Sequence, residues 1–423
     1  MDVEKYLQGF FAGTKDPSLD AMRFFMDKLN HPEKELKFIH IAGTNGKGAV
    51  TEMISNILLN SGYKIGKFMS PHLIRYNERI QINNKEITNK EMEEIIIKLD
   101  PLVKEYNSKG KGNVTLFELE TTMAILYFAN KKCDIVVLEV GLGGLYDCTN
   151  IVYPIVSIIT SIGYDHMKFL GNTLEEIAFQ KAGIIKQNSK TIFMSQSESV
   201  DNVIIERCKE ENNKLFLVNK EEIKNYSYTE EYQKFDYKEF KNIEIKLKGI
   251  SQIYNACITL ETVNVLKEKY NIKEEIIRKS LKNVIHRGRF EKINNNPTVI
   301  YEGAHNEPAI NNFINSVDMY YKNNKKVYII SILKSKDYKT ILKLLVKNDE
   351  NIYIFTCGND EERYTDAEIL KDEAQKSGAK NLFTMELEEA IKMSLEKYKD
   401  YIIFAVGSFY VYGDVIKTIK SYT

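Results

Sequence analysis

The sequence predicts an α/β fold in two parts, a mainly parallel, doubly wound domain followed by a smaller Rossmann-like α/β domain. Three observations carry this. Short apolar runs alternate with helical patterns through the first half of the chain, and such alternation implies a mainly parallel sheet covered on both faces. The glycine-rich stretch Gly43-Thr44-Asn45-Gly46-Lys47-Gly48 stands between an apolar run and a helical pattern. The alternation breaks at His286-Arg287-Gly288-Arg289 and Asn294-Asn295-Asn296-Pro297 and then restarts, which marks a second doubly wound unit.

In order, strands are expected near 38–42, 64–68, 134–139, 154–160 and 190–194, with helices between several of them. Arg79 to Ile87 alternates in period two around Asn83-Asn84 and reads as a hairpin or loop flap. A polar, tyrosine-rich stretch from about 221 to 248 looks like antiparallel strands, and 252–270 resumes a helical pattern. Beyond the break, strands are expected at 298–301, 326–332, 351–356 and 401–406, with a short strand and helices between them. The expected domains are 1–285 and 286–423.

With 423 residues, the chain is long enough for two cores. Lys plus Arg and Asp plus Glu both number 59, so no global field favours nucleic acid or an anionic membrane, and small molecules are the expected partners. No apolar run nears the roughly 20 residues of a membrane span, and the charged start Met1 to Phe10 lacks a signal-peptide core; a cytoplasmic location is expected. The five cysteines, at 133, 148, 208, 257 and 357, form no C-x-x-C pair, which argues against a disulfide framework or a thiolate zinc site.

Glycines let backbone N–H groups turn around an anion, a helix start adds roughly half a positive charge, and Lys47 adds a whole one. The stretch 43–48 therefore suits phosphates, although Ile41 stands where the strict P-loop pattern has its first glycine. Glu139 ends an apolar strand and precedes Val140-Gly141-Leu142-Gly143-Gly144. Ligands of open α/β sheets sit beyond strand carboxyl ends, and Mg²⁺ is typically held there by one or two carboxylates with phosphate and water. Asp165-His166 follows the next strand, and Lys181 lies on the helix beyond. His72, His166, His286 and His305 all fall just after strands or in glycine turns, a clustering that favours a site.

In order along nearly the whole chain, these residues resemble the folylpolyglutamate synthase and dihydrofolate synthase branch of the Mur ligases. The matching segments are His40 to Gly48, Ser70-Pro71-His72-Leu73 with Asn77-Glu78-Arg79-Ile80, Phe117-Glu118 with Thr121, Glu139 to Asn150, and Asp165-His166 through Lys181-Ala182-Gly183-Ile184. Gln252 with Asn255-Ala256, Gly288-Arg289-Phe290-Glu291, Gly303-Ala304-His305-Asn306 and Gly407-Ser408-Phe409-Tyr410 complete the series. The resemblance implies ATP-dependent joining of L-glutamate to a folate or dihydropteroate carboxylate through an acyl phosphate, by a monomer. It implies ATP on Gly43, Thr44, Asn45, Gly46, Lys47 and Gly48, with Asn255, Arg289, Glu302 and His305 on the nucleotide side of an interdomain cleft. It places Mg²⁺ on Ser70, Glu139 and His166, substrates at Phe117, Glu118, His305 and Ser408, and makes Lys47, Lys181 and His166 catalytic, with Lys181 a carbamylated lysine. Without the resemblance, Lys181 reads as a helix lysine with its head in solvent, and Arg289 as a hinge salt bridge.

Against the family pattern, Leu145 stands where an arginine is customary, Ala49 for a serine, and Ser335 for an aspartate. Glu302 replaces aspartate, Arg287 proline and Cys148 alanine. Leu145 matters most, because no apolar group replaces guanidinium donors. A Mur-type amino-acid ligase with another acceptor, and a nucleotide-binding homologue without turnover, stay open as alternatives.

Overall fold

The structure, a computed structural model, describes residues 1–12, 18–110, 112–346, 350–358 and 362–422. The chain divides into two compact units. One comprises Met1–Ser227, Lys234–Lys246 and Ile253–Val284, the other Tyr228–Gln233, Leu247–Gln252 and Ile285–Thr423.

The first unit opens with helices α1 (Val3–Gln8) and α2 (Asp20–Lys28), then β1 (Phe38–Ala42), α3 (Lys47–Asn60), β2 (Ile65–Phe68), β3 (Ile80–Ile82) and β4 (Lys85–Glu86). Helices α4 (Asn89–Ser108) and α5 (Leu116–Asn130), β5 (Ile135–Glu139), β6 (Pro154–Ile159), α6 (Met167–Leu170) and α7 (Leu174–Ala182) follow. Next come β7 (Lys190–Met194), α8 (Glu198–Glu210) and β8 (Lys214–Val218). These strands form one sheet in the order β4-β3-β2-β5-β1-β6-β7-β8. All neighbours from β2 to β8 are parallel, and only β3 and β4 join antiparallel. Every residue of β1 and β5 is buried, as expected of central strands covered on both faces. One apolar core gathers α1, α2, α4 and α5 around Phe25, Phe68, Leu119 and Phe128; another packs α7 and α8 around Ile177, Ile185 and Phe193.

Strands β9 (Ile223–Tyr228), β10 (Gln233–Tyr237) and β11 (Phe240–Ile245) make the expected small sheet, in the order β11-β10-β9, followed by α9 (Ile250–Leu266) and α10 (Glu274–Lys282). Asn83 and Asn84 turn the β3–β4 hairpin at φ 52° and 61°, the left-handed pair a tight hairpin needs.

The second unit contains β12 (Glu291–Asn295), β13 (Thr298–Glu302), α11 (Glu307–Tyr321), β14 (Lys326–Ile330), α12 (Tyr338–Leu345), β15 (Ile352–Phe355), α13 (Ala367–Lys376), β16 (Asn381–Thr384), α14 (Leu387–Lys397), β17 (Ile402–Val406) and α15 (Tyr412–Tyr422). Its sheet order is β12-β13-β17-β14-β15-β16, parallel except for β12. The α/β class with two mainly parallel sheets is as the sequence predicts. Two strands were not foreseen. β8 is a half-exposed edge strand paired only to β7, and β12 is a polar, bulged edge strand within the segment read as a break in periodicity. Edge strands need no apolar face on both sides, so they lose the signal that betrays central ones.

Candidate active site

Parallel strands align their carboxyl ends, so β2, β5, β1 and β6 deliver their following loops side by side. Along that edge stand Ser70 after β2, Glu139 at the end of β5, Gly43 to Lys47 after β1, and Thr160 to His166 after β6. Ile41 pairs in register with Glu139, so the glycine loop and the carboxylate begin almost level on adjacent strands.

The loop conformation is fixed from the neighbouring strand. Thr160 Oγ1 and Ser161 Oγ donate to Asn45 O at 2.7 and 2.9 Å, Ser161 Oγ accepts from Asn45 N–H at 3.1 Å, and Thr44 N–H donates to Ser161 O at 2.6 Å. Thr44 Oγ1 also bonds the Gly163 backbone on both its N–H and C=O, each at 3.0 Å. No side chain fits at Gly43, where a Cβ would lie 1.8 Å from Thr160 Oγ1, or at Gly46, where φ is 92° and a Cβ would lie 2.5 Å from Asn255 Oδ1. Gly46 caps α3 without a side-chain hydrogen bond, which leaves the helix start to its dipole. Lys47 is the first residue of α3 and its Nζ donates to Gly43 O at 3.0 Å, folding the ammonium back over the loop. Asn255, expected on the nucleotide side, thus belongs to the first unit and abuts the glycine loop.

Glu139 is buried rather than facing solvent, and Ser70 N–H points at its Oε2 from 3.4 Å. The loop after it is organised by Asp147, also buried, which accepts from Leu142 N–H at 2.8 Å, from Thr149 N–H at 3.0 Å and from the Thr149 hydroxyl. Burial raises the Asp147 carboxyl above its usual range, against these donors. Thr149 Oγ1 lies 2.8 Å from Nε2 of His40 within β1, so a buried His40-Thr149-Asp147 series braces the 141–149 loop. His40 is held neutral, since burial and then the Lys186 charge push it down to about 3.

Lys181, in the last turn of α7, is 3% exposed, so its head is not in solvent. Burial first, then the Lys47 ammonium, push its amine down to about 7 against the pull of Asp165 and Asp147. The last turn of α7 also packs on the loop after β5: a Cβ at Gly144 would lie 2.9 Å from Lys181 O. His166 is exposed, in a left-handed conformation at φ 50°, with Nε2 3.7 Å from Asp165 Oδ1. Among the described residues, no group of three or more His, Cys, Asp or Glu side chains is arranged to hold a metal ion. His72 lies in the loop after β2, while His286 and His305 belong to the second unit.

Phe117 lies against the loop after Glu139, 2.5 Å from where a Cβ on Gly141 would stand, with its ring 5.8 Å from Phe68. Glu118 is buried and serves the start of α5: its Oε2 accepts from Thr115 N–H at 2.8 Å and Thr115 Oγ1 at 2.9 Å, a capping box. Leu145 N–H donates to Gln180 O at 2.7 Å, and Tyr146 beside it is half-exposed.

In the second unit, Glu302 ends β13, buried, with Oε2 accepting from Phe290 N–H at 3.0 Å and Oε1 from Arg289 Nη1 at 3.4 Å. Burial raises the Glu302 carboxyl, and Arg289 opposes this. Arg289 stacks 4.3 Å from the Phe409 ring centroid, and the His305 ring meets Phe409 edge-on at 5.7 Å. His305 Nδ1 donates to Gly303 O at 2.7 Å. Ser408 Oγ lies 3.2 Å from Tyr364 OH and accepts from Tyr410 N–H at 3.2 Å. Arg289, Glu302, His305 and Ser408 therefore share one strand-end neighbourhood, knitted through Phe409.

The residues missed from the sequence brace the strand-end loops: His40, Asp147, Thr160, Ser161 and Glu120. Thr160-Ser161 directly after a strand was a readable signal. Nothing in the sequence shows that Glu120, on the apolar helix α5, faces Arg79.

The chain matches the Mur ligase middle domain over residues 41–263 and the Mur ligase glutamate ligase domain over 288–409. It is 32% identical to the dihydrofolate synthase/folylpolyglutamate synthase of Bacillus subtilis strain 168, covering 99% of both chains. The crystal structure of Thermotoga maritima folylpolyglutamate synthase is 30% identical with TM-score 0.86, covering 100% of this chain and 97% of that one. Mycobacterium tuberculosis folylpolyglutamate synthase, complexed with ADP and AMPPCP, is 26% identical with TM-score 0.87, covering 99% and 97%. A glycine loop braced against a neighbouring strand end, a buried carboxylate level with it and full-length similarity of this kind have one meaning: the chain belongs to the folylpolyglutamate synthase and dihydrofolate synthase family of the Mur ligases.

Proposed function

We propose that this protein is an ATP-dependent ligase that joins L-glutamate to the carboxylate of a folate, with dihydropteroate as a second acceptor. The observation that carries the reading is the register of β1 and β5, which sets the Gly43–Lys47 loop beside Glu139. Phosphoryl transfer asks for alignment and charge neutralisation more than for a covalent protein group. The loop amides and Lys47 supply positive potential around the triphosphate, and the glycines keep side chains out of the cradle. Ser70, Glu139 and His166 are the residues that would hold Mg²⁺; that ion, when bound, neutralises phosphate charge. Glu139 fits the ion as a buried carboxylate at a strand end.

The acceptor carboxylate takes the γ-phosphoryl group as ADP leaves, and the glutamate amine displaces phosphate from the acyl phosphate. Lys181 supports carbamylation because burial and the Lys47 ammonium push its amine down to about 7: a neutral Nζ adds to CO₂ and loses a proton, turning a cation into a carboxylate-like anion. Phe117 is assigned to the acceptor. His305 and Ser408 are assigned to glutamate, and Asn255, Arg289 and Glu302, with His305, to the nucleotide. The capping-box role of Glu118 favours a structural part for it over substrate contact. A monomer suffices for this assignment.

The test is product analysis by mass after incubation with ATP, Mg²⁺, glutamate and each pterin acceptor separately. A glutamylated pterin formed with release of phosphate is expected. Phosphate release only with a muramyl peptide would shift the acceptor to cell-wall precursors, and none with any acceptor would make the chain a binding module.

A further inference from the structure

The loop from Ser70 to Arg79 is held at both ends and tied within by the Glu78 carboxylate. At its start, Ser70 N–H points at Glu139. Within it, Glu78 gathers the N–H groups of Leu73, Ile74 and Arg75 at 2.9, 2.9 and 2.8 Å, and Ile74 is half-exposed. At its end, Arg79 divides its guanidinium: Nε donates to His72 Nδ1 at 2.9 Å, and Nη1 to Glu120 Oε2 at 2.6 Å. Glu120 stands one turn beyond Phe117 on α5, with its side chain 3% exposed and that of Arg79 12% exposed.

This pair is unlike the surface ion pairs elsewhere in the chain. The second carboxylate oxygen, Oε1 of Glu120, is buried without a hydrogen-bond partner, and burial lifts the carboxyl to about 7 although Arg79 opposes it. A half-satisfied buried carboxylate costs stability, and the same contact with an apolar helix could be made by a leucine or isoleucine. What the apolar residue could not do is hold a guanidinium in one place, and through it His72 and the strand end that carries the loop.

We propose that Glu120 is a positioning residue for the acceptor, setting through the buried Arg79 guanidinium the stance of the Ser70–His72 segment. The inference rests on reading that segment as the acceptor loop of a pterin-glutamate ligase. Glu120 itself touches neither substrate nor reacting atoms.

The test is Glu120→Gln, which keeps size and removes the charge, measured by initial-rate kinetics and by hydrogen exchange of backbone amides. Removing one partner of a buried pair is a large perturbation, so the acceptor KM should rise about tenfold or more. An interaction confined to acceptor binding leaves kcat and the KM for ATP within about twofold. Amides of residues 70–79 should exchange faster, with those of β1 and β5 unchanged. The double variant Arg79→Met with Glu120→Leu keeps the proposal open to refutation should the single one fold poorly. Replacing both partners restores stability, so the acceptor KM should stay raised in a well-folded protein. A KM that recovers with stability, or an unchanged KM and unchanged exchange in Glu120→Gln, would overturn the positioning role. If the wild type ligates no pterin, the functional reading fails by itself, and exchange alone decides: retained protection of 70–79 in Glu120→Gln refutes the latch.

Discussion

The lowering of the Lys181 amine by burial and by the Lys47 ammonium is the most demanding consequence of the site. An amine titrating at its ordinary 10.5 is neutral in about one molecule in three thousand at pH 7, whereas one titrating near 7 is neutral in about half. Since carbamate forms only from the neutral amine, the reactive fraction of Lys181 exceeds that of an ordinary lysine by about a thousandfold at that pH. The neutral fraction falls as pH drops below 7 and saturates above it, so the modification should appear through that window. Its causes are burial and the Lys47 ammonium, so Lys47→Met should move the midpoint upward while leaving Lys181 buried. The assay is carbon-13 NMR of protein equilibrated with labelled bicarbonate, with Lys181→Gln as the blank. One carbamate resonance, absent in the blank and shifted to higher pH in Lys47→Met, is expected. A resonance that Lys181→Gln retains, or a midpoint in the ordinary lysine range, would refute the electrostatic argument.

Further outcomes follow from the same contacts. Lys47→Ala and Glu139→Ala should each lower kcat by about a hundredfold or more with unchanged thermal midpoints, checked by steady-state kinetics beside calorimetry; near-normal rates would remove either residue from the mechanism. Gly46→Ala should abolish nucleotide binding in a titration, because its Cβ meets Asn255 and φ is 92°. Thr115→Ala should cost about 1 kcal/mol of stability in urea melts and leave the acceptor KM alone, as the capping box of Glu118 requires; the opposite pattern would return Glu118 to the substrate.

Much of this architecture was legible because central parallel strands are continuous apolar runs and their loops carry the glycines. The glycine loop, Glu139 and Asp165-His166 fall at the ends of neighbouring strands, where the topology puts ligands. Harder to read were relations between distant segments. That Asn255 abuts Gly46, and that Glu120 on a helix without apolar periodicity meets Arg79, depends on packing and leaves no trace in local pattern. Lys181 illustrates the same limit: its spacing on a helix suits a solvated head, and only the packing of α7 on the loop after β5 buries it. Glu118 is the converse case, since Thr115-x-x-Glu118 is a readable capping signal. The edge strands β8 and β12 escaped for want of burial on two faces.

A triphosphate and its divalent cation should be gripped where β1 and β5 end. Calorimetric titration of a non-hydrolysable ATP analogue, with and without Mg²⁺, into wild type and Glu139→Ala tests it most directly. Binding heat in the wild type, strengthened by Mg²⁺, and loss of that strengthening in Glu139→Ala are predicted. No heat in the wild type, or a magnesium effect that survives Glu139→Ala, would contradict the account.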